Sequence, residues 1–379
     1  MEIYVVQSGD SIDRIARNFT VDVNEIIWIN QLIYPYALAV GQALLIPTAG
    51  RNERSPLLVG GYAYPFIQDN ILEETLGYLS ELYIFSYGFT MEGDLLPPQI
   101  SEDRMLAKAE QVGVGSVLTL TPFGLDGKFN NQLIHSLVTD SNVKNHLIQQ
   151  LIQVMQEKGY SGVDVDFEYI LAEDRDLFTG FVAELTEIMN ARDWRVSVAL
   201  APKTSAAQKG LLYEGKDYGG LGSVANQVLL MAYEWGYTYG PNMAVAPINK
   251  VREVVEYAVS EIPVNKINLG IPNYGYDWAL PYERGVTKAR TIGNIEAVEL
   301  AVRYGVPIRF DEVAQSPYFR YIAEGVEHEV WFEDVRSMRE TFDLVREFSL
   351  EGVAYWQIMR LFRANWYLLQ SEFEILSVV

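Results

Sequence analysis

The chain has 379 residues, 49% of them hydrophobic and 12% aromatic, enough apolar material for one large core and a small appendage. Against 29 basic residues stand 50 acidic ones, a net charge of -21 at pH 7 that repels phosphate backbones and anionic headgroups and argues against a nucleic-acid partner. The absence of cysteine excludes disulfides, thiol nucleophiles and thiolate metal sites, and His135, His146 and His328 are too widely spaced for an imidazole metal site or a Ser-His-Asp relay.

The chain opens Met1-Glu2-Ile3-Tyr4-Val5-Val6 and passes directly into polar turn residues, so no signal peptide is expected. Its longest apolar runs, such as Val228 to Ala232, are of strand length, and no membrane span is expected. The first unit, residues 1–48, reads as strand, helix, helix, strand. Ile3 to Val6 forms the opening strand, Ile12, Ile15, Ala16 and Phe19 share a helical face, Val23, Ile26, Ile27 and Ile29 mark a second helix, and Gly41 to Pro47 closes. Residues 49–56 carry Gly, Pro, Ser and opposed charges without apolar periodicity and read as a linker.

From 57 to 379, apolar runs alternate with amphipathic helical stretches. Eight runs read as strands: Leu57–Ala63, Leu82–Ser86, Ser116–Thr121, Val163–Phe167, Val196–Ala201, Val228–Tyr233, Ile267–Pro272 and Val353–Trp356. Helices are expected at Val143–Lys158, Asp174–Asn190, Ile248–Ser260 and Phe332–Phe348. Repeated strand-then-helix order predicts an α/β fold, a (β/α)8 barrel, with residues 278–330 as an α+β insertion after the seventh strand. A doubly wound sheet is disfavoured, because no glycine-rich dinucleotide turn follows the first strand.

In such a barrel the chemistry lies at the carboxyl ends of the strands. Ser161-Gly162-Val163-Asp164-Val165-Asp166-Phe167-Glu168 places three carboxylates at alternate positions, which a strand directs to one face. Crowded on an inward face, they repel one another and resist desolvation, so at least one holds a proton at neutral pH and can serve as a general acid. A solvated strand edge or a carboxylate cluster for a divalent ion are the alternatives that the residues alone leave open.

That segment resembles the fourth-strand signature Asp-Gly-x-Asp-x-Asp-x-Glu of glycoside hydrolase family 18, the chitinase-like family. Met231-Ala232-Tyr233-Glu234, Gly270-Ile271-Pro272-Asn273-Tyr274-Gly275 and Gly352-Val353-Ala354-Tyr355-Trp356 are similar to its sixth, seventh and eighth strands. The resemblance implies that Glu168 protonates the departing oxygen and then activates water. Asp166 would orient the substrate acetamido group that acts as nucleophile, and Asp164 would share a proton with Asp166. Tyr233 would bond the acetamide, and Trp356 would floor the sugar subsite. Ser161 stands where the family has its leading Asp, and Glu234 replaces an Asp that commonly meets the sugar. Asp277 and Trp278, just past the seventh strand, are candidates to line the cleft. No cofactor or metal is implied.

The first unit resembles a LysM module, in Tyr4 to Ile12, Ile26 to Asn30 and Val40 to Pro47. By that resemblance Gly9, Asp10, Ser11 and Ile12 would face Asn30, Leu32 and Ile33 across a groove for N-acetylglucosamine-containing glycans, while packing or localisation alone is the plainer role. Tyr233-Glu234-Trp235-Gly236 with Gly240-Pro241 is most similar to the family branch of bacterial spore peptidoglycan hydrolases. The function implied is an N-acetylglucosaminidase of spore cortex, made in the mother cell and spore-associated. A chitinase or chitooligosaccharide hydrolase, or a catalytically silent sugar-binding protein, are the alternatives. Oligomeric state is not legible.

Overall fold

A computed structural model describes residues 1–48 and 54–378. Of the expected linker, residues 49–53 lie outside the described residues.

In the N-terminal unit, Glu2–Val5 pairs antiparallel with Ala43–Ile46. Between them, the helix Ile12–Phe19 starts where the Ser11 hydroxyl accepts from the Arg14 N–H, and Val23–Ile29 starts where the Asp22 carboxylate accepts from Asn24. Ile12, Ile15, Ala16, Ile26, Leu44 and Ile46 interlock as its core.

Eight parallel strands close into a barrel: Ser55–Ala63, Glu81–Phe89, Gly115–Leu120, Gly162–Val165, Arg195–Leu200, Gln227–Leu230, Ile267–Pro272 and Gly352–Trp356, the last pairing back onto the first. The fold matches the expected (β/α)8 barrel. The first strand starts two residues ahead of the sequence reading, because Ser55, Pro56 and Leu57 gain a parallel partner in Phe373–Ile375. Helices pack outside. Ser141–Lys158 is typical: the Asp140 carboxylate caps its start, Gly159 at φ +73° ends it, and Leu147, Ile148, Leu151, Ile152 and Met155 bury one face. The helix expected at Phe332–Phe348 begins instead at Val335, where the Asp334 carboxylate accepts from the Arg336 N–H.

The insertion is a five-stranded antiparallel sheet, ordered Arg290–Ile292, Gly275–Ala279, Val326–Trp331, Ser316–Ala323, Arg309–Asp311, with the helix Asn294–Tyr304 packed on it. It starts at Gly275, ahead of the expected 278. A side chain there would bring its Cβ to 2.4 Å from the Trp331 carbonyl oxygen, so glycine lets the seventh barrel strand pass directly into the inserted sheet.

The N-terminal unit does not hang free. Ile29 and Leu45 join the barrel's hydrophobic core, and Ala39 joins that of the insertion. The Arg363 guanidinium lies 3.7 Å from the Trp28 ring centroid and donates to the Trp28 carbonyl at 2.9 Å, while also pairing with Glu74. Arg336 reaches the Gly41 carbonyl, and the Ile308 N–H donates to the Val40 carbonyl at 2.8 Å.

Candidate active site

The fourth strand ends at Val165, so of the three acids only Asp164 lies within it, and Asp166 and Glu168 follow in the connecting segment. Asp164 is fully buried. Its Oδ2 accepts from the Tyr62 hydroxyl at 2.9 Å and its Oδ1 from the Ser197 hydroxyl at 2.6 Å, so the first and fifth strands hold it from both sides. Burial, with the charge of Asp166 added, pushes its carboxyl up to about 7.

Asp166 is also buried, and its Oδ1 has no hydrogen-bond partner among the described residues. Burial and the charge of Glu168 raise its carboxyl, and the Lys216 ammonium opposes that rise. Glu168 is half-buried. Burial raises it too, Lys216 opposes, and Glu234 adds to the rise. Raised together, these neighbouring carboxyls hold protons at higher pH than isolated acids do. Such a group can donate a proton to a leaving oxygen and take one back from water. Ser161 stays out of this chain: its hydroxyl donates to the Ser116 carbonyl at 3.0 Å.

Tyr233 enters from the sixth strand's end because Gly270 on the seventh leaves room. A Cβ at Gly270 would stand 2.7 Å from the Tyr233 ring and 2.5 Å from the Leu230 carbonyl oxygen. Burial and the charges of Asp166 and Glu168 push the Tyr233 phenol well above its ordinary value, so it remains a hydrogen-bond donor. Glu234 follows with φ at +68°, a left-handed conformation costly for a side-chain-bearing residue. Although much of the residue is exposed, its carboxylate is held by the hydroxyls of Tyr274 and, at 2.9 Å, Tyr276. Burial raises the Glu234 carboxyl and these two donors lower it.

Trp356 is half-buried in an aromatic cluster, its ring 4.9 Å from Phe85, 5.7 Å from Tyr62 and 6.2 Å from Tyr64. From Tyr64 and Phe85 a groove of about 680 Å³ runs outward past Phe66, Phe123 and Leu125. Flat apolar faces beside hydrogen-bonding acids are what a pyranose ring stacks against.

Other predicted residues lie elsewhere. Trp278 is completely buried in the insertion, with its indole N–H donating to the Gly240 carbonyl at 2.9 Å. The Asp277 carboxylate is taken up by the Tyr321 hydroxyl and the His328 ring, both within the inserted sheet. Neither offers surface to a cleft, because both belong to a strand that left the barrel at Gly275. In the N-terminal unit, Ile12 is core. The Asn30 amide bonds the Ile26 and Leu45 carbonyls and the Leu45 N–H, and Asp10 binds Tyr4, Gln7 and Arg14. Gly9, Ser11 and Ile33 remain exposed and Leu32 half-exposed. Sequence reading missed Tyr62, Ser197, Tyr274, Tyr276 and Lys216. The Tyr274-Gly275-Tyr276 alternation was a visible signal for one pair, whereas nothing around Lys216 marks it. Among the described residues no group of three or more His, Asp or Glu is arranged to hold a metal ion.

An acid series at the mouth of an eightfold barrel, beside a tyrosine hydroxyl and an aromatic cluster, is an arrangement that a glycosidase can use. The chain matches glycosyl hydrolases family 18 over residues 124–360 and the LysM domain over residues 4–47. It belongs to glycosyl hydrolase family 18 and carries a LysM domain. It is 35% identical to the cortical fragment-lytic enzyme of Bacillus subtilis in an alignment of 431 positions that covers 100% of this chain and 99% of the relative. The fold superposes on the spore cortex-lytic enzyme SleL of Bacillus megaterium with a TM-score of 0.95, at 32% identity, covering 100% of this chain and 99% of that one. Against SleL of Bacillus cereus the TM-score is 0.84 at 34% identity, covering 99% and 87%.

Proposed function

We propose that this chain is a peptidoglycan N-acetylglucosaminidase acting on bacterial spore cortex, with its LysM domain holding the glycan and with no cofactor. The observation that carries the reading is the buried acid series leading to Glu168 beside Tyr233, in a chain 35% identical along its whole length to a cortical fragment-lytic enzyme. Glu168, protonated, gives its proton to the glycosidic oxygen as the bond to the anomeric carbon breaks. The substrate's own acetamide oxygen bonds that carbon from the opposite face, forming an oxazolinium ion. Asp166 faces the acetamide N–H and balances the positive charge, Asp164 shares its proton with Asp166, and Tyr233 donates to the acetamide oxygen. Water then adds to the anomeric carbon, its proton passes to Glu168, and the acetamide oxygen leaves, so configuration is retained.

Trp356 and Glu234 are the sugar-binding residues of this reading. In the LysM domain the contact falls to Gly9, Ser11, Leu32 and Ile33. The spore is the site of action.

The test is digestion of purified cortex fragments, with chitooligosaccharides in parallel, by wild type and Glu168→Gln, followed by borohydride reduction and mass spectrometry. Reduced N-acetylglucosamine ends from cortex, absent with the variant, support the reading. Cleavage of chitooligosaccharides alone, or full turnover by Glu168→Gln, overturns it.

A further inference from the structure

One buried charge has no part in the reaction as written. Lys216 is 1% exposed, and a buried ammonium is costly unless a countercharge meets it. Its Nζ donates to the Ala199 carbonyl at 2.5 Å, a neutral acceptor that uses one of three N–H bonds.

The backbone drives this side chain inward. At Gly215 a Cβ would lie 2.3 Å from the carbonyl oxygen of Ile170, so the absent side chain lets this loop press against the segment just beyond Glu168. From the other side, the Lys203 Nζ donates to the Lys216 carbonyl at 3.0 Å. The loop is thus fixed on both flanks of Lys216.

Strand register supplies the neighbour. Asp164 pairs with Ser197 and Val165 with Val198 in the parallel sheet. One step further along the two chains lie Asp166 and Ala199, so an ammonium anchored on the Ala199 carbonyl stands in the layer of Asp166. There the Asp166 Oδ1 is the buried oxygen left without a hydrogen-bond partner among the described residues.

We propose that Lys216 is a positioning residue for hydrolysis: its buried ammonium is the countercharge that keeps Asp166 and Glu168 as a pair carrying a single proton. This rests on the roles given to those two acids above. The groups that face the cluster are Asp164, Asp166 and Glu168 from the fourth strand and its extension, Tyr62 from the first strand and Tyr64 just past its end, Glu81 and Tyr83 from the second, and Ser197 and, against Glu81, Arg195 from the fifth. Tyr233 and Glu234 come from the sixth, and Lys203 from the loop itself. Lys203 caps the Lys216 backbone and Arg195 lies against Glu81, so Lys216 is the cation of this set that acts on Asp166 and Glu168. It opposes the upward shift of both acids, and they oppose its loss of a proton.

The sign of the effect follows. Hydrolysis needs Asp166 ionised, which sets the acid limb of the rate profile, and Glu168 protonated, which sets the alkaline limb. Removing the cation makes both acids hold protons more tightly, so both limbs move to higher pH, by roughly one unit for loss of an opposite charge at this range.

The experiment is a pH profile of kcat/KM on soluble cortex fragments for wild type, Lys216→Met and Lys216→Cys. The natural chain has no cysteine, so Lys216→Cys carries a unique thiol. Alkylated in denaturant and refolded, it gives a cationic aminoethyl form and a neutral carbamidomethyl form of similar length. Lys216→Met and the neutral form are expected to show both limbs displaced upward, with about a tenfold loss at a fixed pH on the acid limb. The cationic form is expected to return the limbs to their wild-type positions. Limbs that stay in place in Lys216→Met, or identical profiles for the cationic and neutral forms, overturn the inference. If Glu168→Gln is inactive while those limbs do not move, the acid assignments stand and Lys216 alone has been misread. If Glu168→Gln turns over, both fall.

Discussion

Glu333 gives the most quantitative consequence of the fold. It follows the last strand of the insertion and lines a cavity of about 450 Å³ walled by the LysM loop Asn30 to Pro35, the insertion helix and Phe362. Its side chain is 4% exposed, and its Oε1 has no hydrogen-bond partner among the described residues. Burial, opposed by the Ser337 hydroxyl and reinforced by the Asp334 charge, pushes the carboxyl from 4.5 up to about 8. In the unfolded chain the group ionises near 4.5, so from there upward the folded state holds a proton that the unfolded state has released. Stability is therefore intact below pH 4.5 and is lost as pH rises to about 8. At 1.36 kcal/mol per unit, the penalty grows to about 5 kcal/mol at pH 9. Glu333→Gln keeps the shape and cannot ionise. Its thermal midpoint is expected to equal that of wild type at about pH 4 and to exceed it by several degrees at about pH 9, measured by calorimetry in parallel. Equal differences at the two pH values would refute the argument, because a packing effect alone does not titrate.

Two further predictions concern the site. Tyr233→Phe removes a preorganised donor, and kcat on cortex fragments is expected to fall roughly a hundredfold or more with KM little changed; a fall below about threefold would take Tyr233 out of the transition state. Glu234→Gln weakens the bonds from Tyr274 and Tyr276 and the contact to sugar, and KM is expected to rise about tenfold, a charged hydrogen bond being worth that much; unchanged KM would remove Glu234 from the binding residues.

The barrel was legible because its strands are nearly continuous apolar runs set apart by amphipathic helices, the pattern that burial on both faces imposes. The insertion after the seventh strand was equally legible as an α+β unit. What periodicity misplaced was the exit from the seventh strand. Asp277 and Trp278 alternate like barrel residues, and only the contact of Gly275 with the Trp331 carbonyl reveals that they serve a different sheet. Asp164, Asp166 and Glu168 were visible from their spacing, although the strand stops at Val165. Their partners were not, since Tyr62, Ser197 and Lys216 come from other strands and loops and meet them only when the barrel closes. In the LysM unit, Asn30 and Asp10 fit a sugar-binding pattern as polar residues in turns. They are bound instead to the unit's own backbone and side chains, which no local pattern separates from a ligand contact.

A LysM unit that served only as a tether would contribute local concentration alone. The structure instead presents its surface at a fixed offset from the barrel mouth. Gly41 is the tightest point of that docking, since a Cβ there would lie 1.9 Å from the Ile308 carbonyl oxygen, and φ is +83°, a conformation that glycine adopts without strain. Gly41→Val forces the two surfaces apart, and Arg363→Ala removes the stack on Trp28 and the bond to its carbonyl, worth together about 3 kcal/mol. If fixed orientation matters, both variants should bind cortex as wild type does and hydrolyse short soluble fragments normally, yet lose activity on insoluble cortex. A tether predicts that all three stay unchanged, because an undocked LysM domain still concentrates the enzyme. Binding by sedimentation with cortex and rates on the two substrates separate these cases, and normal rates on insoluble cortex from an undocked enzyme would show that proximity, not geometry, is what the LysM domain contributes.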